Sequence, residues 1–290
     1  MTSEPLSVAY VTSRQVPDDE ADLVTSALAR QGVESDVVVW DDPAVAWERY
    51  GLVLVRSVWD YTDRRAEFLD WARRVDGLGL LRNPAAVLER NTDKTYLREL
   101  AAHGVPIVPT HWVGPGEELA PEAAPWPELV VKPTVSAGAR DTIRTADRAV
   151  AAAHVKALTS AGRTAMVQPY LPMVEDEGEI SLLFLGGEFS HAVRRAPQLV
   201  ADRKEHGDVT VRRPEADQLA LAERVLAAIP ERGELLYARV DLVRSPEGEP
   251  LLIELELTEP YLYLRQHEGA ADLLAAAVRA RLTASGGATA

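Results

Sequence analysis

Two runs near the carboxyl end, Tyr237-Ala-Arg-Val-Asp-Leu-Val243 and Leu251-Leu-Ile-Glu-Leu-Glu-Leu257, restrict this chain more than any other feature. Each alternates apolar and polar residues, and the stretch between them carries Pro246, Gly248 and Pro250, so the pair reads as an antiparallel hairpin. Side chains two apart share a face of a strand. Arg239 therefore stands with Asp241, and Glu254 with Glu256. A turn centred on Glu247-Gly248 sets Asp241 opposite Glu254 and Arg239 opposite Glu256. Three carboxylates and one arginine then converge, and their mutual repulsion asks for a cation among them. Oxygen-only ligands suit magnesium, which takes one or two carboxylates and completes its shell with phosphates and water. A solvated polar face of a sheet has the same pattern, so the hairpin alone leaves both readings open.

The basic residues are uneven. Only four of the 31 are lysine, namely Lys94, Lys132, Lys156 and Lys204, and an ammonium suits a point contact to phosphate where the arginine fork does not. Lys132 ends an apolar strand and opens Lys132-Pro-Thr-Val-Ser-Ala-Gly-Ala-Arg-Asp-Thr142. In that loop Ser136, Gly138 and free backbone donors can cover a polyphosphate. It is not a P-loop, because GxxxxGK[ST] occurs nowhere. Further on, Gln168-Pro169-Tyr170-Leu171 leaves a strand and enters Glu175-Asp-Glu-Gly-Glu179. Backbone extended by Pro169 offers N–H and C=O groups to an adenine edge, with Gln168 reaching the amino group and a later glutamate the ribose. A strand end before a solvated acidic turn reads equally well, and Asp176 and Glu177 are expected as surface charges. Lys204 lies in a polar loop and is a further anion-binding candidate.

Composition narrows the class. At 290 residues and 47% hydrophobic content the chain can bury a sizeable core. A net charge of −14 argues against a nucleic-acid binder, and the absence of cysteine removes disulfides, thiol nucleophiles and thiolate zinc sites. No apolar run approaches a membrane span, so a cytoplasmic location is expected. The segment up to Pro84 alternates strand-like stretches (6–11, 37–40, 52–56) with helix-like ones (20–30, 64–75), the pattern of a Rossmann-like α/β unit with a parallel sheet. Residues 85–172 read as a small α+β unit opening with a helix over 93–103. Residues 173–290 read as a second α+β unit with a hairpin at Gly186-Gly187, a helix at 270–282 and a disordered tail.

The order Lys94, Lys132 with its loop, Gln168 to Leu171, Gly178-Glu179, Arg239-Val-Asp241 and Glu254-Leu-Glu256 resembles the ATP-grasp ligases over roughly 91–260. The resemblance implies an ATP-grasp fold with an N-terminal pre-grasp domain. It further implies that Lys94 and Lys132 contact nucleotide phosphates, that the hinge binds adenine and Glu179 the ribose, and that Asp241, Glu254 and Glu256 hold two magnesium ions. Arg239 would contact an acyl phosphate formed when a substrate carboxylate attacks the γ-phosphoryl group, before an amine displaces phosphate. Many relatives carry Glu-x-Asn where this chain has Glu254-Leu-Glu256 followed by Thr258-Glu259-Pro260, which leaves the sharing of the second ion open.

For the substrate, ligands of parallel sheets bind at the carboxyl ends of strands. That directs attention to Arg14 and to Arg56-Ser-Val-Trp59-Asp60, where Arg56 suits a carboxylate and Asp60 an amino group; Arg194 and Arg195 are further anion-binding candidates. A structural arginine with a packed Trp59 is the alternative. Within the superfamily, Arg56-Ser-Val-Trp-Asp60 and Glu254-Leu-Glu-Leu-Thr-Glu-Pro260 most resemble the cyclo-ligases of cycloserine biosynthesis that act on O-ureido-serine, and related amino-acid ligases. A small amino-acid-like substrate follows, with the amine drawn from the same molecule or a second one. A homodimer is left open. Modification of a protein terminus and non-catalytic ATP binding are the rival classes.

Overall fold

A computed structural model describes residues 6–15, 18–196, 199 and 209–286. The N-terminal unit comprises β1 (Ser7–Thr12), α1 (Ala21–Arg30), β2 (Glu34–Val39), β3 (Leu52–Ser57), α2 (Arg65–Asp76) and the short β4 (Leu81–Arg82), forming a parallel sheet in the order β2-β1-β3-β4. β1 and β3 are apolar almost throughout because helices cover both faces. The edge strand β2 is largely exposed. On one face lies the α1 stripe of Ala21, Val24, Ala27 and Leu28. On the other, Phe68 and Trp71 of α2 pack with Trp40 and Trp47, their rings 5.3 to 6.2 Å apart.

The helix expected over 93–103 is α4 (Tyr96–Ala102), and a second helix that was not expected, α3 (Ala85–Asn91), precedes it, with Lys94 in the turn between them. The central sheet is antiparallel in the order β5-β8-β6-β7, built from β5 (His111–Val113), β6 (Leu129–Pro133), β7 (Ile143–Thr145) and β8 (Ala165–Pro169). One helix, α5 (Arg148–Ser160), covers it through Ala151, Val155 and Leu158. It starts at Asp147, whose side chain accepts from the N–H groups of Ala149 and Val150 at 2.8 and 3.3 Å.

After the short α6 (Met173–Asp176) come β9 (Glu179–Leu185), β10 (Glu188–Arg195), β11 (Val209–Val211), α7 (Ala216–Ala227), β12 (Tyr237–Arg244), β13 (Pro250–Glu256) and α8 (Ala270–Gly286). Their antiparallel sheet runs β11-β10-β9-β12-β13. Gly186 and Gly187 turn the β9–β10 hairpin with φ of +62° and +92°. α8 continues past residue 282, where it was expected to end; 287–290 lie outside the described residues. One face of this sheet buries Leu182, Val240 and Leu255 against Val225 of α7 and Tyr96 and Leu100 of α4. α8 packs instead on the N-terminal unit, where Leu274 and Val278 share a core with Val24, Leu28 and Leu54. Among the described residues no helix is long and apolar enough to cross a membrane.

The β12–β13 register is the expected one, reached by a different route. Arg244 pairs with Pro250, so the turn centres on Glu247, and Ile253 is an extra residue between the pairs Leu242–Leu252 and Asp241–Glu254. This bulge restores Asp241 opposite Glu254 and Arg239 opposite Glu256. It also puts Ile253 and Glu254, consecutive residues, on the partly open side, while Leu252 and Leu255 are buried.

Asn83 joins the units. Its amide donates to the carbonyls of Tyr237 (3.0 Å) and Leu257 (2.7 Å), and its oxygen accepts from the Leu236 N–H (2.7 Å). Asn83→Ala strands three buried backbone groups and should lower unfolding free energy by about 2–4 kcal/mol in urea titration; a change below ~0.5 kcal/mol contradicts this role. His191 of β10 is buried, donates from Nε2 to the Leu262 carbonyl at 3.1 Å and stacks on His267 with centroids 5.1 Å apart. Burial, then the neighbouring His267, lowers its pKa from 6.5 to about 4. The unfolded chain therefore takes up a proton that the native state refuses, so stability should fall as pH drops from 6.5 towards about 4. His191→Gln should flatten that slope in urea midpoints, and parallel slopes for the two proteins would count against it.

Candidate active site

The three sheets enclose a cleft of about 1390 Å³. The central unit contributes Lys132, Ser136 and Gly138, the hinge contributes Gln168, Pro169, Tyr170 and Leu171, and β9 and β10 contribute Glu179, Arg194 and Arg195. Arg239, Glu254 and Glu256 form the floor, with Lys94 beside them and Trp59 on the N-terminal wall.

Lys94 is buried. Its ammonium donates to the Ser136 carbonyl at 2.7 Å and lies 3.1 Å from Glu254 Oε1, which ties the small-residue loop to the floor. Burial opposes its charge, yet Glu254 outweighs that and the pKa stands raised. Lys132 faces the same space without an ion pair among the described residues, and burial lowers its pKa. The two lysines thus differ in what they lack: Lys94 has its anion and Lys132 awaits one. The loop is held from outside by Arg140, which bonds Asp63 at 2.9 Å and also Thr62.

Each carboxylate on the floor is already held by a cation. Asp241 is 1% exposed and accepts from Ser181 Oγ (2.7 Å), Arg239 Nε (3.0 Å) and Arg195 Nη2 (2.8 Å). Burial would push its pKa up, but Arg195 and Arg239 hold it below the usual value. Glu254, half-buried beside Lys94 and Lys132, is likewise lowered, the two lysines outweighing desolvation. Glu256 bonds Arg239, but burial still pushes it up to about 8. Among the described residues no group of three or more acidic, histidine or cysteine side chains has metal-ligating spacing. The ion pairs are the reason: Asp241 sits behind two guanidiniums. The donor chemistry nevertheless fits magnesium, because Glu254 and Glu256 present hard oxygens to the cleft beside two lysines suited to phosphates.

The hinge side is apolar. Val108, Val174 and Val243 pack with Tyr170, Leu171 and Ile253. The Arg144 guanidinium lies 3.4 Å from the Tyr170 ring centroid, and the Tyr170 hydroxyl donates to Glu175 at 2.6 Å, so the hinge is strapped in place. The Gln168 side chain donates to Thr110 Oγ1 at 2.8 Å. Before β9 the chain needs glycine: Gly178 has φ +82°, and a Cβ there would stand 2.5 Å from the Arg195 carbonyl. Arg194 Nε braces this turn by donating to the Glu177 carbonyl at 2.6 Å. Glu177 is not the solvated charge expected, since its side chain is 15% exposed and pairs with Arg244 at 3.3 Å.

Three expected substrate residues do not line the cleft. Arg14 is exposed beside Asp41 and Asp42. Asp60 accepts from the Trp40 indole at 3.1 Å. Arg56 is 2% exposed, donates to the Pro260 carbonyl at 2.7 Å and lies 3.5 Å from Glu20. All three sit near strand ends, but the segment following β13 folds over those ends and takes their place. Lys204 lies outside the described residues. Sequence reasoning missed Tyr261, Tyr263 and Gln266 and gave no role to Tyr61 or Glu259, all of which line the cleft. The run Glu259-Pro-Tyr-Leu-Tyr263, polar and aromatic directly after the acidic strand, was the available signal.

Comparison with known proteins places this geometry. Residues 8–83 match the family described as the N-terminal domain of D-cycloserine synthetase DcsG. The cycloserine biosynthesis protein DcsG of Streptomyces lavendulae is 36% identical over 272 residues, covering 87% of this chain and 90% of that protein. The crystal structure of D-cycloserine synthetase DcsG superposes with a TM-score of 0.86 at 35% identity, covering 95% of this chain and 99% of that one. D-alanine–D-alanine ligase from Bacillus anthracis, solved with ATP, shares the fold at a TM-score of 0.72 and 13% identity, covering 98% and 100% of the chains. The expected fold and class are both met: this chain belongs to the DcsG family of ATP-grasp enzymes and is an ATP-dependent carboxylate–amine ligase.

Proposed function

We propose that the cleft binds ATP against the hinge and activates the carboxylate of a small amino-acid-like substrate, which an amine of the same molecule then captures to close a ring. The observation that carries this reading is the convergence of Lys94, Lys132 and Arg239 on Glu254 and Glu256 within one cleft. The name D-cycloserine synthetase, borne by a solved relative at 35% identity, supports ring closure over joining two molecules. In this reading the N-terminal unit, the central ATP-binding unit and the C-terminal unit divide near residues 84 and 172.

Lys132, which makes no ion pair among the described residues, takes phosphate oxygens, and Lys94 braces the Ser136–Gly138 loop over them. Val108, Val174 and Ile253 enclose the adenine, and Glu179 takes the ribose. Arg239 is fixed by Asp241 and by donating to the Tyr261 carbonyl at 3.0 Å, so its charge stands ready for the acyl phosphate without reorganisation. Glu254 and Glu256, with Asp241 once Arg195 withdraws, would hold magnesium, two ions by family pattern. Bound there, magnesium supplies neutralisation of the transferring phosphoryl group.

Lys132→Met and Glu254→Gln should each cut carboxylate-dependent ADP release by about 10²–10³-fold with folding intact by circular dichroism; near-normal ADP release from both would remove the phosphate and metal assignments. Incubation with ATP and an amino-acid panel that includes O-ureido-serine should give, by mass spectrometry, a cyclic product built on one amino-acid skeleton. A product containing two skeletons would discard ring closure and keep the ligase.

A further inference from the structure

The segment after β13 is fixed to an unusual degree. Four consecutive carbonyls are each captured by a side chain: Thr258 by the Tyr237 hydroxyl (2.9 Å), Glu259 by the Trp59 indole (3.2 Å), Pro260 by Arg56 (2.7 Å) and Tyr261 by Arg239 (3.0 Å). The donors come from the N-terminal unit and from β12, so the segment cannot shift without breaking bonds to both. It holds out one charged side chain, Glu259, which is 7% exposed and lines the cleft.

Glu259 differs from its neighbours. Among the described residues Glu179, Asp241, Glu254 and Glu256 each have a lysine or arginine in ion-pair contact, and Glu259 has none. Its side-chain hydrogen bond is to the Tyr61 hydroxyl, a neutral group. Asp19, the other cleft carboxylate without a cation, is exposed to water and needs none. Lys94 and Arg239 act on it only from beyond ion-pair distance, so its charged form is favoured by a cation that enters the cleft beside it. Arg239 lines the same space, so an anchored guanidinium and an unpaired carboxylate stand on one wall, with Tyr61 and Tyr263 between the units. A zwitterion with its carboxylate and ammonium one carbon apart is the complementary ligand.

We propose that Glu259 binds the ammonium group of the amino-acid substrate whose carboxylate is activated beside Arg239. This rests on the ligase reading of the cleft and gives Glu259 the role that sequence had assigned to Asp60. Arg56 then acts as a positioning residue, holding Pro260 and through it the carboxylate.

The test compares each amino acid with its counterpart lacking the amino group: serine with 3-hydroxypropanoate, and O-ureido-serine with its desamino analogue. In Glu259→Gln, the KM for the amino acid should rise roughly 10- to 100-fold, the loss of one charged hydrogen bond. The desamino acid should be handled within about twofold of wild type, and ATP affinity by calorimetry should be unchanged. Tyr61→Phe, which keeps the charge, should move the same ratio in the same direction by less, and it serves if Glu259→Gln does not fold. Equal effects on amino and desamino substrates, or no effect on either, overturn the proposal. Direct binding separates this from the parent reading: ammonium-dependent binding lost in Glu259→Gln, with no ADP release in wild type, would uphold Glu259 and overturn the ligase assignment.

Discussion

Arg239 connects everything that faces the cleft. Its guanidinium holds Asp241 on its own strand, Glu256 on the neighbouring strand and the carbonyl of Tyr261 beyond the hairpin. A single planar donor fork does this because the bulge at Ile253 brings the two acidic residues of β13 level with Arg239 and Asp241. Without that register the carboxylates would divide between the two faces of the sheet, and half the charge would enter the core. The floor of the cleft is thus a lattice of paired charges rather than a nest of bare anions.

The same economy appears in how the units are joined. Asn83, Arg56 and Trp59 all reach from the N-terminal unit to backbone groups of β12 or of the segment after β13, and α8 returns to pack on the N-terminal core. Polar bonds to backbone fix position without depending on the identity of the residue held. The cleft-facing side chains of that segment are therefore free to carry specificity while its path stays constant.

Much of this was legible in the sequence, because charge alternation and small-residue turns are local signals. The hairpin pairing, the Gly186-Gly187 turn and the placement of Lys94 and Lys132 follow from period, turn chemistry and family order. What was not legible depended on contacts distant in sequence. Arg56 and Asp60 have the composition of a ligand site, but they bond Pro260 and Trp40, 204 and 20 positions away in sequence, and neither lines the cleft. The helix over 93–103 is present as α4, whereas α3 before it was not foreseen, since it follows Pro84 directly and the break at Lys94 serves the cleft rather than propensity. Glu177 looked solvated because its partner Arg244 enters the sequence only after β12 begins.

Glu256 is where this chain departs from the Glu-x-Asn pattern common among relatives, and the geometry gives the departure a physical meaning. An asparagine there would bring an amide donor and no charge, leaving Arg239 with Asp241 as its only anion on the floor. Glutamate adds a second anion to the same guanidinium, and the site accommodates it at a cost visible in its pKa of about 8, raised by burial. A charge so poorly stabilised by the protein alone gains most from a cation brought by the ligands. The extra carboxylate therefore ties the end of β13 to the same guanidinium that, through the Tyr261 carbonyl, steadies the segment carrying Glu259.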